Sequence, residues 1–386
     1  MLAKRELVVD SKQRRILIVA GEPSGDAQAA RLVDGLLRAD PNADIYGVCG
    51  PQMRAAGARM FIDIAELSIM GFSEVLGGLG RALGVYRRVL REIRSTDGPD
   101  TVVLVDFPDF NIPLAGAAKK AGRRVVYYVS PQVWAWRRGR IAKIAARVDR
   151  MLVLFPFEED VYREHGLDAH FVGHPLAGDV HASVGRDDVR RRYDIDRERP
   201  LVVLLPGSRE KEVRAMLPVM LEAAAALAEK ASFAVACAAS IEESLVRALV
   251  DASTADVAIV SDDTYNLVAA GDAVAVAAGT ATVECALLGV PMVVVYRMSA
   301  VSFALARSLV HLPHIAMPNI VLGDRVVPEL LQNDATGDRL AAELDAFLSD
   351  GSLREKTARR LGRIHDLLVR PDAARRAAEL VLELTA

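Results

Sequence analysis

Short apolar runs recur along the chain, and each is followed by a loop and then by a stretch with helical spacing. The clearest runs are 15–20, 102–105, 201–205, 273–277 and 292–296. Runs of this length without polar alternation are typical of strands buried on both faces, as in parallel sheets. Strands that alternate with helices indicate βαβ units. The sequence therefore predicts an α/β protein built from doubly wound parallel sheets.

The pattern starts afresh after a short polar segment at 178–186. A length of 386 residues is also more than one ordinary core accommodates. We therefore expect an N-terminal domain at 1–180 and a C-terminal domain at 181–365. The last helix, at about 366–386, is expected to pack back on the first domain or on a partner subunit.

Composition excludes several classes of protein. A net charge of −3 gives no indication of a nucleic-acid partner. The N-terminus lacks the apolar region of a signal peptide, and no run reaches the roughly 20 apolar residues of a membrane span. Three cysteines lie far apart in apolar sequence, which indicates a reducing compartment. We expect a cytoplasmic protein, at most peripheral on a membrane.

The run 102–105 ends in Asp106, and Asp109 and Asn111 follow shortly after. Ligands of open α/β sheets bind outside the carboxyl ends of the strands, so a carboxylate there is placed for chemistry. Asp106 and Asp109 can also be interpreted as a pair of metal ligands. The pair stands alone and Phe107 and Pro108 separate its members, so we predict no metal and no cofactor.

The first strand leads into a loop that contains Glu22, Ser24, Gly25 and Asp26, and a helix follows from about residue 27. Exposed amides at a helix start favour an anion or a polar ligand. The alternative is that Gly25 makes a tight turn and Asp26 caps the helix. The loop matches neither a dinucleotide fingerprint nor a P-loop.

In the second half, the run 201–205 leads into Gly207, Ser208 and Arg209, followed by a helix. An arginine at such a turn is suited to a phosphate or diphosphate, because it adds two donors to the amides of the helix. The alternative is a surface arginine that pairs with Glu212 or Glu210.

The strand at 273–277 leads into a second turn of small and hydroxyl residues, followed by an acid. Its members are Gly279, Thr280, Ala281, Thr282 and Glu284. Small residues allow a ligand to approach the backbone, and the helix dipole favours phosphate. Glu284 can reach a sugar hydroxyl or complement the dipole.

A segment at 70–94 combines apolar residues at helical spacing with five arginines. An ordinary amphipathic helix packed on the sheet explains this pattern. A membrane-facing or acyl-binding surface also explains it, because arginines meet anionic head groups. The apolar candidates are Phe72, Val75, Leu76, Leu79 and Leu83.

Several motifs together, in this order, resemble the bacterial lipid-A-disaccharide synthases, glycosyltransferase family 19. The resemblance covers nearly the whole chain. The motifs lie at 21–26, 70–76, 106–111, 128–137, 173–176, 205–209, 279–284, 291–297, 318–319 and 329–332.

The resemblance implies a GT-B-like fold, in which two Rossmann-like domains face a central cleft. The implied reaction joins UDP-2,3-diacylglucosamine to 2,3-diacylglucosamine 1-phosphate with inversion, giving a β-1,6-linked disaccharide 1-phosphate and UDP. By the match, Asp106 is the base for the acceptor 6-hydroxyl, and Arg209 and the turn 279–284 hold the donor. Residues of the family motifs near the donor are Arg297, Asn319 and Gln332.

The same resemblance implies action at the inner face of the inner membrane of Gram-negative bacteria, with the apolar surface at 72–83, and it implies a homodimer. Phe107 and Pro23 depart from the family, which usually has Ala at the first position and Thr or Ala at the second. Two alternatives remain open. One is another GT-B enzyme using UDP-N-acetylglucosamine, a transferase or a 2-epimerase. The other is a non-catalytic sugar-nucleotide or lipid-binding paralogue.

Overall fold

The computed structural model describes residues 13–67, 75–136, 139–298 and 313–385. The chain divides into two compact units. Unit 1 comprises Met1–Gly173 and Arg370–Ala386, and unit 2 comprises His174–Val369. The sequence had suggested boundaries after residues 180 and 365, a few residues from these positions.

Unit 1 contains a seven-stranded sheet whose strands are all parallel. The strands are β1 (Arg15–Ala20), β2 (Asp44–Cys49), β3 (Arg59–Asp63), β4 (Thr101–Val105), β5 (Arg124–Tyr128), β6 (Arg150–Val153) and β7 (Asp168–Phe171). They are ordered β3-β2-β1-β4-β5-β6-β7. The order reverses between β1 and β4, which makes the gap between their carboxyl ends the topological switch point of the sheet.

Within the described residues of unit 1, seven α-helices connect these strands. They are α1 (Pro23–Ala39), α2 (Pro51–Ala55), α3 (Val75–Arg94), α4 (Pro108–Lys120), α5 (Val133–Trp136), α6 (Gly139–Ala145) and α7 (Phe157–Arg163). Every residue of β4 is fully buried, as its unbroken apolar pattern predicts for a central parallel strand.

Unit 2 contains a six-stranded parallel sheet ordered β10-β9-β8-β11-β12-β13. Its strands are β8 (Leu201–Leu205), β9 (Ser232–Cys237), β10 (Val257–Ser261), β11 (Ala273–Ala277), β12 (Met292–Tyr296) and β13 (Glu329–Leu331). Its helices are α8 (Leu176–Asp179), α9 (Arg186–Arg192), α10 (Glu210–Ala226), α11 (Glu243–Asp251), α12 (Thr264–Ala270), α13 (Ala281–Leu287), α14 (Met317–Leu322), α15 (Gly337–Ser349) and α16 (Gly351–Leu368). Here the switch point lies between β8 and β11.

The C-terminal helix α17 (Ala373–Thr385) packs on α1 of unit 1. A Cβ added at Gly35 would lie 2.6 Å from the carbonyl oxygen of Ala374, so the two helices approach this closely only because α1 carries glycine there. The hydroxyls of Thr385 and Thr101 are 2.9 Å apart. The end of the chain thus completes the unit in which the chain began.

Some elements differ from the sequence expectation. Helix α1 begins at Pro23, not at about residue 27, because proline is compatible with the first helical turn. The short elements α2, β3 and β13 were not predicted at all. In the part of the chain that the structure describes, no helix is long and apolar enough to cross a membrane.

Candidate active site

Asp106 directly follows β4, so it lies at the switch point of unit 1 beside the turn that follows β1. Asp106 has a φ of +45° and Phe107 a φ of +47°, and both values are left-handed. Two consecutive non-glycine residues in this region are strained, and such strain is concentrated at functional sites. The backbone therefore turns sharply where the strand ends, and α4 begins at the next residue.

Hydrogen bonds to the backbone hold this turn. The Asp106 carbonyl oxygen accepts from the Tyr127 hydroxyl at 2.6 Å and from Asn111 Nδ2 at 2.8 Å. The Asp106 N–H donates to the Tyr128 carbonyl at 3.0 Å. Asn111 is fully buried, so this side chain, a candidate acceptor contact by sequence, supports the loop from beneath.

The environment of Asp106 strengthens it as a base. Partial burial raises the pKa of the Asp106 carboxyl above its usual range, because the ionised form loses hydration. A hydrogen bond from the Phe107 N–H lowers the pKa, and the negative charge of Glu22 raises it. A carboxylate with a raised pKa holds a proton more strongly once it takes one.

The Phe107 ring lies against Gly21. A Cβ added at Gly21 would fall 2.1 Å from Cδ1 of that ring. Phe107 also lies 5.6 Å from the Phe110 ring, and Phe110 lies 5.6 Å from the ring of Tyr86 on α3. The large side chain of Phe107, which departs from the family, fits here because the facing residue, Gly21, has no side chain. The three rings link the Asp106 turn to α3.

The four candidates in the loop after β1 fall into two groups. Glu22 and Ser24 are exposed, whereas Gly25 and Asp26 are buried inside α1. The Asp26 carboxylate accepts from the N–H groups of Gly50 at 2.7 Å and Gln52 at 2.9 Å. Asp26 therefore caps α2 and not its own helix, and its oxygens are occupied by backbone donors.

Asp109 makes different contacts from Asp106. Its exposed side chain pairs with Arg140 at 2.9 Å. Among the residues that the structure describes, no three His, Cys, Asp or Glu side chains are grouped as metal ligands. The prediction that the reaction uses no metal remains a prediction.

In unit 2, Arg209 follows β8 at the switch point and is the residue before α10. Its side chain is 81% exposed and pairs with Glu212 at 3.1 Å, which is the surface pairing considered from the sequence. An exposed pair of this kind contributes little stability, so the guanidinium is available to an anion. Ser208 is also exposed, and Gly207 has a φ of +117° that favours glycine.

The second turn, after β11, lies on the other side of the same switch point. Gly279 and Thr280 are exposed, and Gly279 has a φ of +155° with open space where a side chain would be. Thr282 is fully buried and donates its hydroxyl to the Gly279 carbonyl at 2.7 Å, so it supports the turn and does not face a ligand. Ala281 begins α13.

Glu284 lies in the first turn of α13 and is half-buried. It accepts a hydrogen bond from the Tyr265 hydroxyl at 3.3 Å. Burial raises the pKa of the Glu284 carboxyl, and the bond from Tyr265 lowers it. Tyr265 was not identified from the sequence, since no motif or spacing connects it with Glu284.

Arg297 and Gln332 follow the neighbouring strands β12 and β13, and the structure brings them together. Arg297 is exposed, and its Nε donates to the Gln332 carbonyl at 3.4 Å. The Met298 N–H donates to the side-chain amide oxygen of Gln332 at 3.4 Å. Gln332 therefore fixes the backbone beside Arg297.

Asn319 is a framework residue and not a surface contact. It is fully buried. Its oxygen accepts from the N–H groups of Val326 and Val327, and its nitrogen donates to the Val327 carbonyl and to Glu329 Oε1. All four hydrogen bonds that its amide can make are used, so none is left for a donor sugar.

The candidate membrane surface is described in part. Phe72 lies outside the described residues, and for Val75, Leu76 and Leu79 the structure describes the backbone only. Leu83 is 46% exposed. Along the rest of α3, one face is buried in unit 1, namely Val85, Val89 and Ile93. This part is a packed amphipathic helix whose outer face carries exposed arginines, namely Arg87, Arg91 and Arg94.

Comparison with known sequences gives a consistent result. The family model described as Lipid-A-disaccharide synthetase matches residues 16–383. The lipid-A-disaccharide synthase of Geobacter metallireducens is 41% identical over 374 residues, covering 96% of this chain and 97% of the relative. That of Syntrophus aciditrophicus is 43% identical over 373 residues, with coverage of 96% and 97%.

Comparison with solved structures concerns the fold alone. MurG of Acinetobacter baumannii aligns with a TM-score of 0.58 and 16% identity, covering 96% of this chain and 99% of that one. The UDP-GlcNAc 2-epimerase of Neisseria meningitidis, solved bound to UDP-GlcNAc, aligns with a TM-score of 0.60 and 10% identity, with coverage of 96% and 98%. The predicted α/β fold of two Rossmann-like sheets is confirmed.

Proposed function

Because the chain belongs to the lipid-A-disaccharide synthase family, and is therefore a glycosyltransferase of lipid A biosynthesis, we propose that Asp106 of unit 1 is its general base and that unit 2 holds the UDP-sugar donor. The observation that carries this proposal is the strained turn at the switch point of unit 1, which presents a carboxylate of raised pKa. The full-length match favours this activity over that of a 2-epimerase or a murein-type transferase, whose likeness is one of fold.

In the proposed reaction, the acceptor is 2,3-diacylglucosamine 1-phosphate and the donor is UDP-2,3-diacylglucosamine. Asp106 takes the proton of the acceptor 6-hydroxyl as the oxygen attacks the anomeric carbon of the donor. The bond to UDP breaks on the opposite face, so the configuration inverts and a β-1,6-linked disaccharide 1-phosphate forms. The proton remains on Asp106 until solvent removes it.

On the donor side, Arg209 is proposed to bind the diphosphate and to stabilise the negative charge that develops as UDP leaves. Gly279 and Thr280 supply an exposed turn without side-chain obstruction at the same switch point. Glu284 is proposed to accept from a hydroxyl of the donor, and Arg297 to add positive charge. Thr282, Asn319 and Gln332 are proposed to hold these loops in shape.

The pH dependence of kcat/KM tests the base assignment. Asp106 acts when ionised, so kcat/KM falls as the pH drops through its pKa. Since that pKa is raised, this acid limb is expected above the usual aspartate range. Glu22→Gln removes a charge that raises the pKa, so the limb should move to lower pH. The shift should be small, because burial contributes more to the raised pKa of Asp106 than Glu22 does. A limb that stays in place in the Glu22→Gln profile would contradict the assignment.

The protein is proposed to act as a peripheral protein at the inner face of the inner membrane, where acylated substrates reside. The outer face of α3 supports this proposal. Leu83, Arg87, Arg91 and Arg94 are exposed and recur at helical spacing. Arginines at such a surface attract anionic lipid, and an apolar side chain enters the interface. The homodimer that the resemblance implies stays a prediction.

Reversing two of these arginines, Arg87→Glu with Arg91→Glu, should lower binding to anionic vesicles at least roughly 30-fold, at about 1 kcal/mol for each arginine. The effect should shrink as salt is added. Vesicle co-sedimentation measures it. The control is Arg359→Glu with Arg363→Glu on α16 of unit 2, which changes the net charge equally at two exposed positions. An equal loss of vesicle binding in the two double variants would show a general effect of net charge and would contradict a specific membrane-binding face on α3.

A further inference from the structure

The Asp106 turn is strained and yet contains no glycine. Asp106 and Phe107 have φ values of +45° and +47°. Left-handed backbone of this kind is unfavourable for residues with side chains and persists only where the surroundings enforce it. Because Phe107 is bulky, the second position is a pronounced outlier. Some contact must prevent the turn from relaxing.

Two side-chain contacts that help to meet this requirement converge on one carbonyl. The Asp106 carbonyl oxygen accepts from Tyr127 and Asn111, and the shorter bond, 2.6 Å, comes from the Tyr127 hydroxyl. Tyr127 lies on β5, which pairs in parallel with β4, and its own partner in the register is Leu104. Its side chain therefore extends past the end of β4 to reach the turn.

The place of Tyr127 in the sheet makes this bond specific. Tyr127 is fully buried, and the residues before it on β5, Val125 and Val126, are apolar and fully buried as well. A hydroxyl in such a strand must find a partner, and this one has the carbonyl of the residue that carries the base. A phenylalanine would fill the same volume without the bond.

We propose that Tyr127 is a positioning residue for the glycosyl transfer. Its hydroxyl holds the Asp106 carbonyl, and thereby the strained turn, so that the carboxylate is aimed at the acceptor hydroxyl. This inference rests on the proposed role of Asp106. Tyr127 exchanges no proton with the substrate and does not contact it. Its contribution is geometric, and small displacements of a reacting group have large effects on rate.

The test compares Tyr127→Phe with Tyr46→Phe in the full-length protein, each assayed for condensation of donor and acceptor. Tyr46 is a matched control. It also lies in a strand of unit 1, is 1% exposed, and donates at 2.6 Å, to Glu92. Tyr127→Phe should lower kcat about 10- to 100-fold and leave the KM of both substrates within about threefold. Tyr46→Phe should lower the Tm by a similar amount and leave kcat within about twofold.

The other outcomes contradict either the positioning role of Tyr127 or the role of Asp106 as the base. If Tyr127→Phe lowers the Tm like the control and keeps wild-type kcat, the hydroxyl serves stability alone and the proposal is wrong. The same holds if Tyr127→Phe does not fold while Tyr46→Phe does. An active Asp106→Asn protein would instead overturn the base assignment itself, so the two failures are distinguishable. A rise in KM without a loss of kcat would assign Tyr127 to substrate binding and also contradict the proposal.

Discussion

Asp106→Asn is expected to lower kcat by about three orders of magnitude, within the range for loss of a general base. The amide has nearly the shape of the carboxylate but does not accept the proton of the acceptor hydroxyl. UDP binding should be unchanged, because the residues proposed to hold UDP belong to unit 2 and Asp106 belongs to unit 1. Initial rates at saturating substrate and calorimetric titration with UDP measure the two effects separately.

The matched control is Asp34→Asn on α1. Asp34 is an exposed carboxylate of the same unit, paired with Arg38 one turn away. Its replacement removes the same charge and should leave kcat within about twofold. If Asp106→Asn behaves like Asp34→Asn, Asp106 is not the base. If it loses UDP binding as well as turnover, the proposed division of labour between the two units is wrong.

The second large effect is expected from Arg209→Ala, which should lower kcat/KM for the donor by about 10²- to 10³-fold. The guanidinium is 81% exposed, and it pairs with Glu212 in the first turn of α10. Such a pair has a stability contribution near zero, so the Tm should hardly change. An inhibition constant for UDP and donor kinetics at fixed acceptor measure the effect.

Arg214, on the helix α10 that Arg209 precedes, provides the comparison. It is exposed and pairs with Glu210, as Arg209 pairs with Glu212. It lies inside α10, whereas Arg209 precedes the helix at the switch point. Arg214→Ala should leave kcat/KM within about twofold. Equal, small effects of the two substitutions would make Arg209 an ordinary surface arginine.

Much of this fold could be predicted from apolar runs alone. The strands 201–205, 273–277 and 292–296 have the predicted bounds, because each is a continuous buried run between loop residues. The short elements were missed for the opposite reason. Strand β13 has three residues at the edge of its sheet, and α2 has five, so neither forms a pattern that is long enough to recognise.

The candidate site was predictable in position but not in detail. Asp106 directly follows one buried strand and Arg209 lies in the loop after another, and parallel strands present such loops at one edge of the sheet. The sequence does not show which polar side chains form their hydrogen bonds with backbone groups that are distant in the chain. Asp26 binds the N–H of Gly50, and Asn319 binds that of Val326. Tyr127 is similar, because its partner, Asp106, lies just beyond the end of the neighbouring strand.

Condensation of donor and acceptor by the purified chain tests the proposed reaction most directly. The assay contains UDP-2,3-diacylglucosamine, radiolabelled 2,3-diacylglucosamine 1-phosphate and a chelator in place of added metal. We expect equal amounts of the disaccharide 1-phosphate and UDP, with full activity before and after magnesium is restored. Binding of UDP without any disaccharide would contradict the proposed acceptor and the role of Asp106. A product that forms only with magnesium would contradict metal-independent transfer.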